Sequence, residues 1–236
     1  MRRRIVLPGR PHTGGHDPCS AGKQGLPFST VTSPATPSVP ATPSPTYPLQ
    51  LDLDAPLTVA RWRPLVHWIL VIPQLIVLYA LGIVQSVVWV IAFFAILFTG
   101  KMPDSLFGFM AMTHRYQWRV GSFSLFMREG YPPFEFLSVA QDPGDDPARL
   151  NIQQPAKLSR GLIFVKWLLA IPHYIVLFVL FIAVYVVVII GFFAVLITGQ
   201  WPESLRTFVI GVMRWAYRVS IYVYLMTDEY PPFSLD

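Results

Sequence analysis

Two pairs of arginines, Arg115 with Arg119 and Arg214 with Arg218, are the side chains with most chemistry to offer. Four residues apart, each pair shares one face of a helix. Aromatic rings flank both, with Trp118 beside the first and Trp215 and Tyr217 beside the second. Two guanidinium groups on one face suit a phosphate or a carboxylate. The pairs would therefore clamp the headgroup of an anionic lipid, or bind Asp104, Glu203, Asp228 or Glu229 and fasten their helix in place; both readings stay open.

Little else is reactive. The 5 histidines, at 12, 16, 67, 114 and 173, lack metal-ligand spacing with a carboxylate helper, apart from the close His12 and His16, so no metal is expected. The single cysteine, Cys19, excludes an internal disulfide. Asp142, Asp145 and Asp146 read as a solvated loop, and there is no Gly-x-Ser-x-Gly elbow, phosphate loop or dinucleotide fingerprint. His173 could relay a proton, but the corresponding residue is Gln74, which favours simple anchoring at a membrane face. No enzyme activity and no cofactor are expected.

That correspondence belongs to a repeat. The block Phe93 to Gly100 recurs from Phe192 to Gly199, an offset of 192 − 93 = 99, which also relates Arg61 to Arg160, Trp68 to Trp167, Pro73 to Pro172 and Tyr131 to Tyr230. The four arginines obey it, as do His67 and Lys166. The chain divides into a Pro/Ser/Thr-rich tail over 1–46, expected to be disordered, a first copy over 47–140, a linker over 141–147 and a second copy over 148–236. The alternative is a start of translation near Tyr47.

At 53% hydrophobic and 13% charged residues, with a net charge of +5 concentrated at the ends of apolar runs, the composition points to a membrane and to lipid headgroups, not to nucleic acid. Between Arg63 and Lys101 the only side chain that titrates near neutral pH is His67, and between Lys166 and Glu203 it is His173. About 34 apolar residues make roughly 50 Å of helix against a hydrocarbon core of roughly 30 Å. Each run must be a hairpin of two short spans, or an interfacial segment that kinks at Pro73 (Pro172) and spans once. The clustering of arginines favours hairpins, with turns over 82–86 and 181–185, four spans and both termini cytoplasmic. Gly100 and Gly199 suit helix ends, and Pro103 and Pro202 suit the next starts. An amphipathic interfacial helix follows over 105–120 in each copy's pattern, and strands are expected over 49–54, 122–127, 149–153 and 220–226. The expected fold class is thus integral membrane and mainly α-helical, two tandem repeats with a small cytoplasmic sheet.

Trp-x-x-x-Ile-Pro at 68–73 and 167–172, the repeated Thr-Gly-x-x-Pro, and Thr227 to Phe233 resemble a bacterial membrane family, domain of unknown function 4389, across 47–236. The resemblance supports architecture and membrane and implies no activity. The expected role is a non-enzymatic inner-membrane scaffold or accessory subunit, in contact with anionic lipids and with a membrane-protein partner or a second copy. The alternative is a small transporter or lipid-handling protein, for which Gln74, Gln85, Ser86 and His173 would be the polar path residues.

Overall fold

The structure, a computed structural model, describes residues 47–236. The reading of the tail, with Cys19, His12 and His16, lies outside the described residues. In chain order the elements are β1 (Leu49–Leu53), α1 (Arg63–Leu70), α2 (Ile72–Thr99), α3 (Asp104–Ser124), β2 (Ala148–Ile152), a 3-10 turn (Leu162–Phe164), α4 (Lys166–Leu169), α5 (Ile171–Thr198) and α6 (Glu203–Val223).

Each apolar run forms one 28-residue helix, not a hairpin. Gly82 and Ser86, expected in a turn, lie mid-helix. Gly82 has no neighbour that would force a turn, and the Ser86 hydroxyl donates to the Ile83 carbonyl one turn back, a bond a serine makes inside a helix. The break falls earlier, at Val71 and Ala170, so Pro73 and Pro172 sit in the first turns of α2 and α5, where a missing N–H costs nothing. Both helices end on left-handed glycines, Gly100 at φ 70° and Gly199 at φ 74°.

The third helix of each copy is not an interfacial helix. Phe107, Met110, Trp118 and Phe123 of α3 are buried, and the helix packs between α2 and the sheet. Its polar residues mislead a reading for a wet face because they too are buried, against partners described below. The strands expected over 122–127 and 220–226 are instead the last helical turn and a left-handed turn at Phe126 (φ 57°) and Leu225 (φ 64°). Serines alternating with apolar residues in Ser122 to Met127 mimic a strand's period of two, but buried helix ends satisfy the same pattern. Two strands remain, paired antiparallel, with Leu49, Leu51, Leu150 and Ile152 turned into the core.

The two copies are joined by exchange. Val59 N–H donates to the Gly199 carbonyl at 2.9 Å and, 99 residues on, Leu158 N–H donates to the Gly100 carbonyl at 2.9 Å. Each copy's entry segment is thus held by the other copy's long helix, so both halves share one core.

Candidate functional site: the joint between the copies

The register of the sheet reveals the symmetry of the joint. Leu51 pairs with Leu150, which is its own counterpart, since 51 + 99 = 150. Below it Trp118 of α3 meets its counterpart Tyr217 of α6, ring centroids 6.1 Å apart. A pseudo-two-fold axis passes through both pairs, and the arginines surround it.

In the first copy they form a closed ion network. Arg115 reaches the Asp142 carboxylate at 3.3 Å and donates to the Val139 carbonyl at 3.1 Å. Arg119 pairs with Asp142 at 3.0 Å, with Glu135, and with Asp146 at 4.0 Å, while Arg128 grips Asp146 with both terminal nitrogens. The side chains of Arg119 and Asp142 are each 1% exposed. Asp142 and Asp146 are therefore buried counter-ions and not a solvated loop; the price of desolvating arginines is met by carboxylates from the linker. Asp145 alone keeps to the surface.

The counterpart arginines use main-chain acceptors. Arg214 donates to the carbonyls of Leu51 and Leu235 at 3.2 and 3.3 Å. Arg218 donates to the Ser234 carbonyl at 3.3 Å and to the main-chain oxygen of Asp236, with its guanidinium 5.8 Å from the Tyr47 ring. Tyr47 is the counterpart of Asp146, since 47 + 99 = 146: one arginine meets a carboxylate where the other meets an aromatic face. Of the acids expected as partners, Asp104 instead binds Gln154, and Asp228 binds Lys166. Sequence reasoning missed Glu135, Asp142 and Asp146. The one available signal was Arg128, which has an uncharged counterpart, Thr227, and so needs an acid unique to the first copy.

Further contacts keep their geometry while changing chemistry. Tyr116 donates to the Gln74 side chain, and Gln74 donates to the Pro132 carbonyl at 2.9 Å; at the counterpart positions Trp215 donates to His173 at 3.1 Å. His67 faces the Phe123 carbonyl at 3.0 Å, and Lys166 donates to the Thr227 carbonyl at 2.7 Å and pairs with Asp228. Glu129 and Asp228 each accept the N–H that precedes the first helix of their copy, from Ala60 and Ser159. Among the described residues no group of three or more His, Cys, Asp or Glu is placed to hold a metal ion.

A tandem duplication folded as its own pseudo-dimer, with two long apolar helices, is the class these features define. The chain belongs to the family described as domain of unknown function (DUF4389), which matches residues 61–135 and 160–234, two copies at the same offset of 99. No curated protein and no solved structure matches the chain.

Proposed function

We propose that the protein is a membrane-embedded scaffold or accessory subunit, set against anionic lipid at the inner (plasma) membrane with both of its ends on the cytoplasmic side. The observation that carries this reading is the apolar surface of α2 and α5. Their most apolar windows have mean hydropathies of 2.5 and 3.3 with only 17% of residues buried, so most of these side chains need a non-aqueous neighbour. A soluble core helix of this composition would be buried all round.

Scaffolding is favoured over catalysis because the arginine pairs that both copies repeat are engaged by linker carboxylates, main-chain oxygens and a ring around the joint. On the sheet side a shallow concavity lined by Gln50, Gln141, Asn151, Gln153 and Gln154 offers amides to a partner protein. The transporter alternative loses support because Gln74 and His173 are tied inside their own copies instead of facing each other.

The test is purification from native membranes in mild detergent after an alkaline carbonate wash, with co-purifying proteins and lipids identified by mass spectrometry. Retention through the wash with a stoichiometric protein partner is expected. Release by carbonate would sink the membrane reading, and a stoichiometric lipid without any protein would sink the scaffold.

A further inference from the structure

The pseudo-symmetry determines how the long helices lie, because a residue and its counterpart stand at equal height along a two-fold axis. Val59 is hydrogen-bonded to Gly199, so residue 59 is level with residue 100, the counterpart of Gly199. The rings of Phe93 and Phe164 lie 5.5 Å apart, so residue 93 is level with residue 65, the counterpart of Phe164. Val71 packs on Phe123, and Trp89 donates to the carbonyl of Val223, the counterpart of Ser124, at 3.3 Å. Both ends of the stretch from 71 to 89, roughly 27 Å of helix, therefore sit one side chain from the level of residues 123 and 124. Helix α2 runs nearly perpendicular to the axis, and α5, as its counterpart, runs antiparallel to it.

Two placements in a bilayer follow. If α2 and α5 stood along the membrane normal, the axis would lie in the membrane plane and carry the sheet to mid-depth. Asp54, with 83% of its side chain exposed, Arg149, 41% exposed, and the exposed Gln141 and Asp145 would then face hydrocarbon. A helix of about 42 Å crossing roughly 30 Å of hydrocarbon would also need a tilt of about 45°, past the observed range. With the axis along the normal, the sheet and linker face water and the bare sides of α1, α2, α4 and α5 face lipid.

Charge agrees with the second placement. Arg61 lies against Gly199 at the end of α5, and Arg160 lies against Gly100 at the end of α2. Both are exposed, as are Lys101 and Lys157, and among the described residues no acid stands within ion-pair distance of these four. Symmetry puts Arg61 and Arg160 at one height on opposite ends of the apolar layer; exposed Trp62 adjoins Arg61 in the chain, and Trp68 and Trp167, counterparts of each other, are exposed as well. Cations at one level at the edge of an apolar face that carries exposed indoles fit the headgroup zone of a single leaflet; two spans would place the two arginines at opposite membrane surfaces.

We infer that α1, α2, α4 and α5 form an apolar base lying in the plane of one leaflet, edged by Arg61, Lys101, Lys157 and Arg160 at the headgroups, so that the protein enters the membrane without crossing it. This rests on the membrane reading above.

The test uses the full chain carrying Cys19→Ser, reconstituted in sealed vesicles containing anionic lipid, with one nitroxide-labelled cysteine at a time replacing exposed Ile76, Ile83, Ile91 or Phe98 of α2, or Asp54 of the sheet. Depth is read from relaxation by oxygen against that by a water-soluble nickel complex. The four α2 positions should lie within a few ångströms of one depth, with position 54 in water on the same side. A depth that runs from one surface through the centre to the other, over the roughly 33 Å between positions 76 and 98, overturns the inference while leaving the membrane reading intact. Failure of the unlabelled protein to stay with the vesicles overturns the membrane reading itself.

Discussion

The two copies share their path but not their chemistry, and the differences come in matched sets. Where the first copy has Gln74 with Tyr116, the second has His173 with Trp215; in each, a ring donor on the third helix bonds an acceptor on the long helix. Where the first has Ala92 and Met102, all buried, the second has Gly191 and Trp201, with the indole lying where a β-carbon of residue 191 would be. Arg119 faces Asp146 and Arg218 faces Tyr47. What duplication preserved is the place of each contact, filled by two residues that differ together, and not the residue type. At the arginines the first copy is held by buried carboxylates and the second by main-chain oxygens and a ring, which predicts unequal responses to equal substitutions.

The largest expected effect breaks that charge asymmetry. Arg119→Gln leaves Asp142 and Asp146 buried with one cation fewer between them, and should cost about 3–5 kcal/mol. Arg218→Gln strands no carboxylate side chain of its own and should cost about 1–2 kcal/mol. Both would be read as shifts of the denaturation midpoint in the same detergent. Equal losses would mean that the ion network is no more than a set of ordinary hydrogen bonds.

Next comes the exchanged volume. In Gly191→Ala the new methyl would lie 2.3 Å from the Trp201 ring, which is pinned by its N–H to the Phe126 carbonyl at 2.9 Å, so the ring cannot retreat without losing that bond. A loss of about 2–3 kcal/mol is expected. Adding Trp201→Met restores the first copy's combination, and the double variant should be more stable than Gly191→Ala alone. A double variant no better than the single would show that the two sites are not coupled.

Smaller again is the effect of Tyr116→Phe. It leaves the buried Gln74 oxygen without its donor and should cost about 1–2 kcal/mol, largely recovered in Gln74→His with Tyr116→Trp, the second copy's pair. Recovery is measured by the same denaturation midpoints.

How far the sequence reached can be judged from these same residues. The repeat, the helix-ending glycines, the prolines and the strands at 49–54 and 149–153 were legible, because each rests on local chemistry or on identity at a fixed offset. The hairpin was not: a 34-residue apolar run is compatible with two short helices or with a break and one long one, and only contacts at Val71 and Ala170 decide between them. The arginine partners were equally out of reach. Glu135, Asp142 and Asp146 lie 16 to 27 residues from whichever of Arg115 and Arg119 they pair with and look like loop acids, since burial of a loop by tertiary packing leaves no periodic trace. Gln85 stays unexplained, buried in α2 with neither side-chain atom hydrogen-bonded.

The finest distinction between the copies is His114, whose counterpart is Met213. Its Nδ1 faces the Met110 carbonyl at 2.8 Å and so carries the proton, while Nε2 accepts from the Ser220 hydroxyl at 3.0 Å. Around it stand the edges of Tyr217 and Tyr224, and no acid is in contact to favour a charged ring. Complete burial pushes its pKa down from 6.5 to about 4. Between those values the unfolded chain binds a proton that the folded chain refuses, so the contribution to stability is whole above pH 6.5 and falls as the pH drops toward 4. From pH 7 to pH 5 the folded protein should lose about 2 kcal/mol through this group. His114→Met, which installs the second copy's residue, should remove that slope, and subtracting its stability profile from that of the wild type cancels the carboxylates that titrate in the same range. A difference that is flat from pH 7 to 5 would mean that the ring is charged or hydrated in the fold, and that this position separates the copies by shape alone.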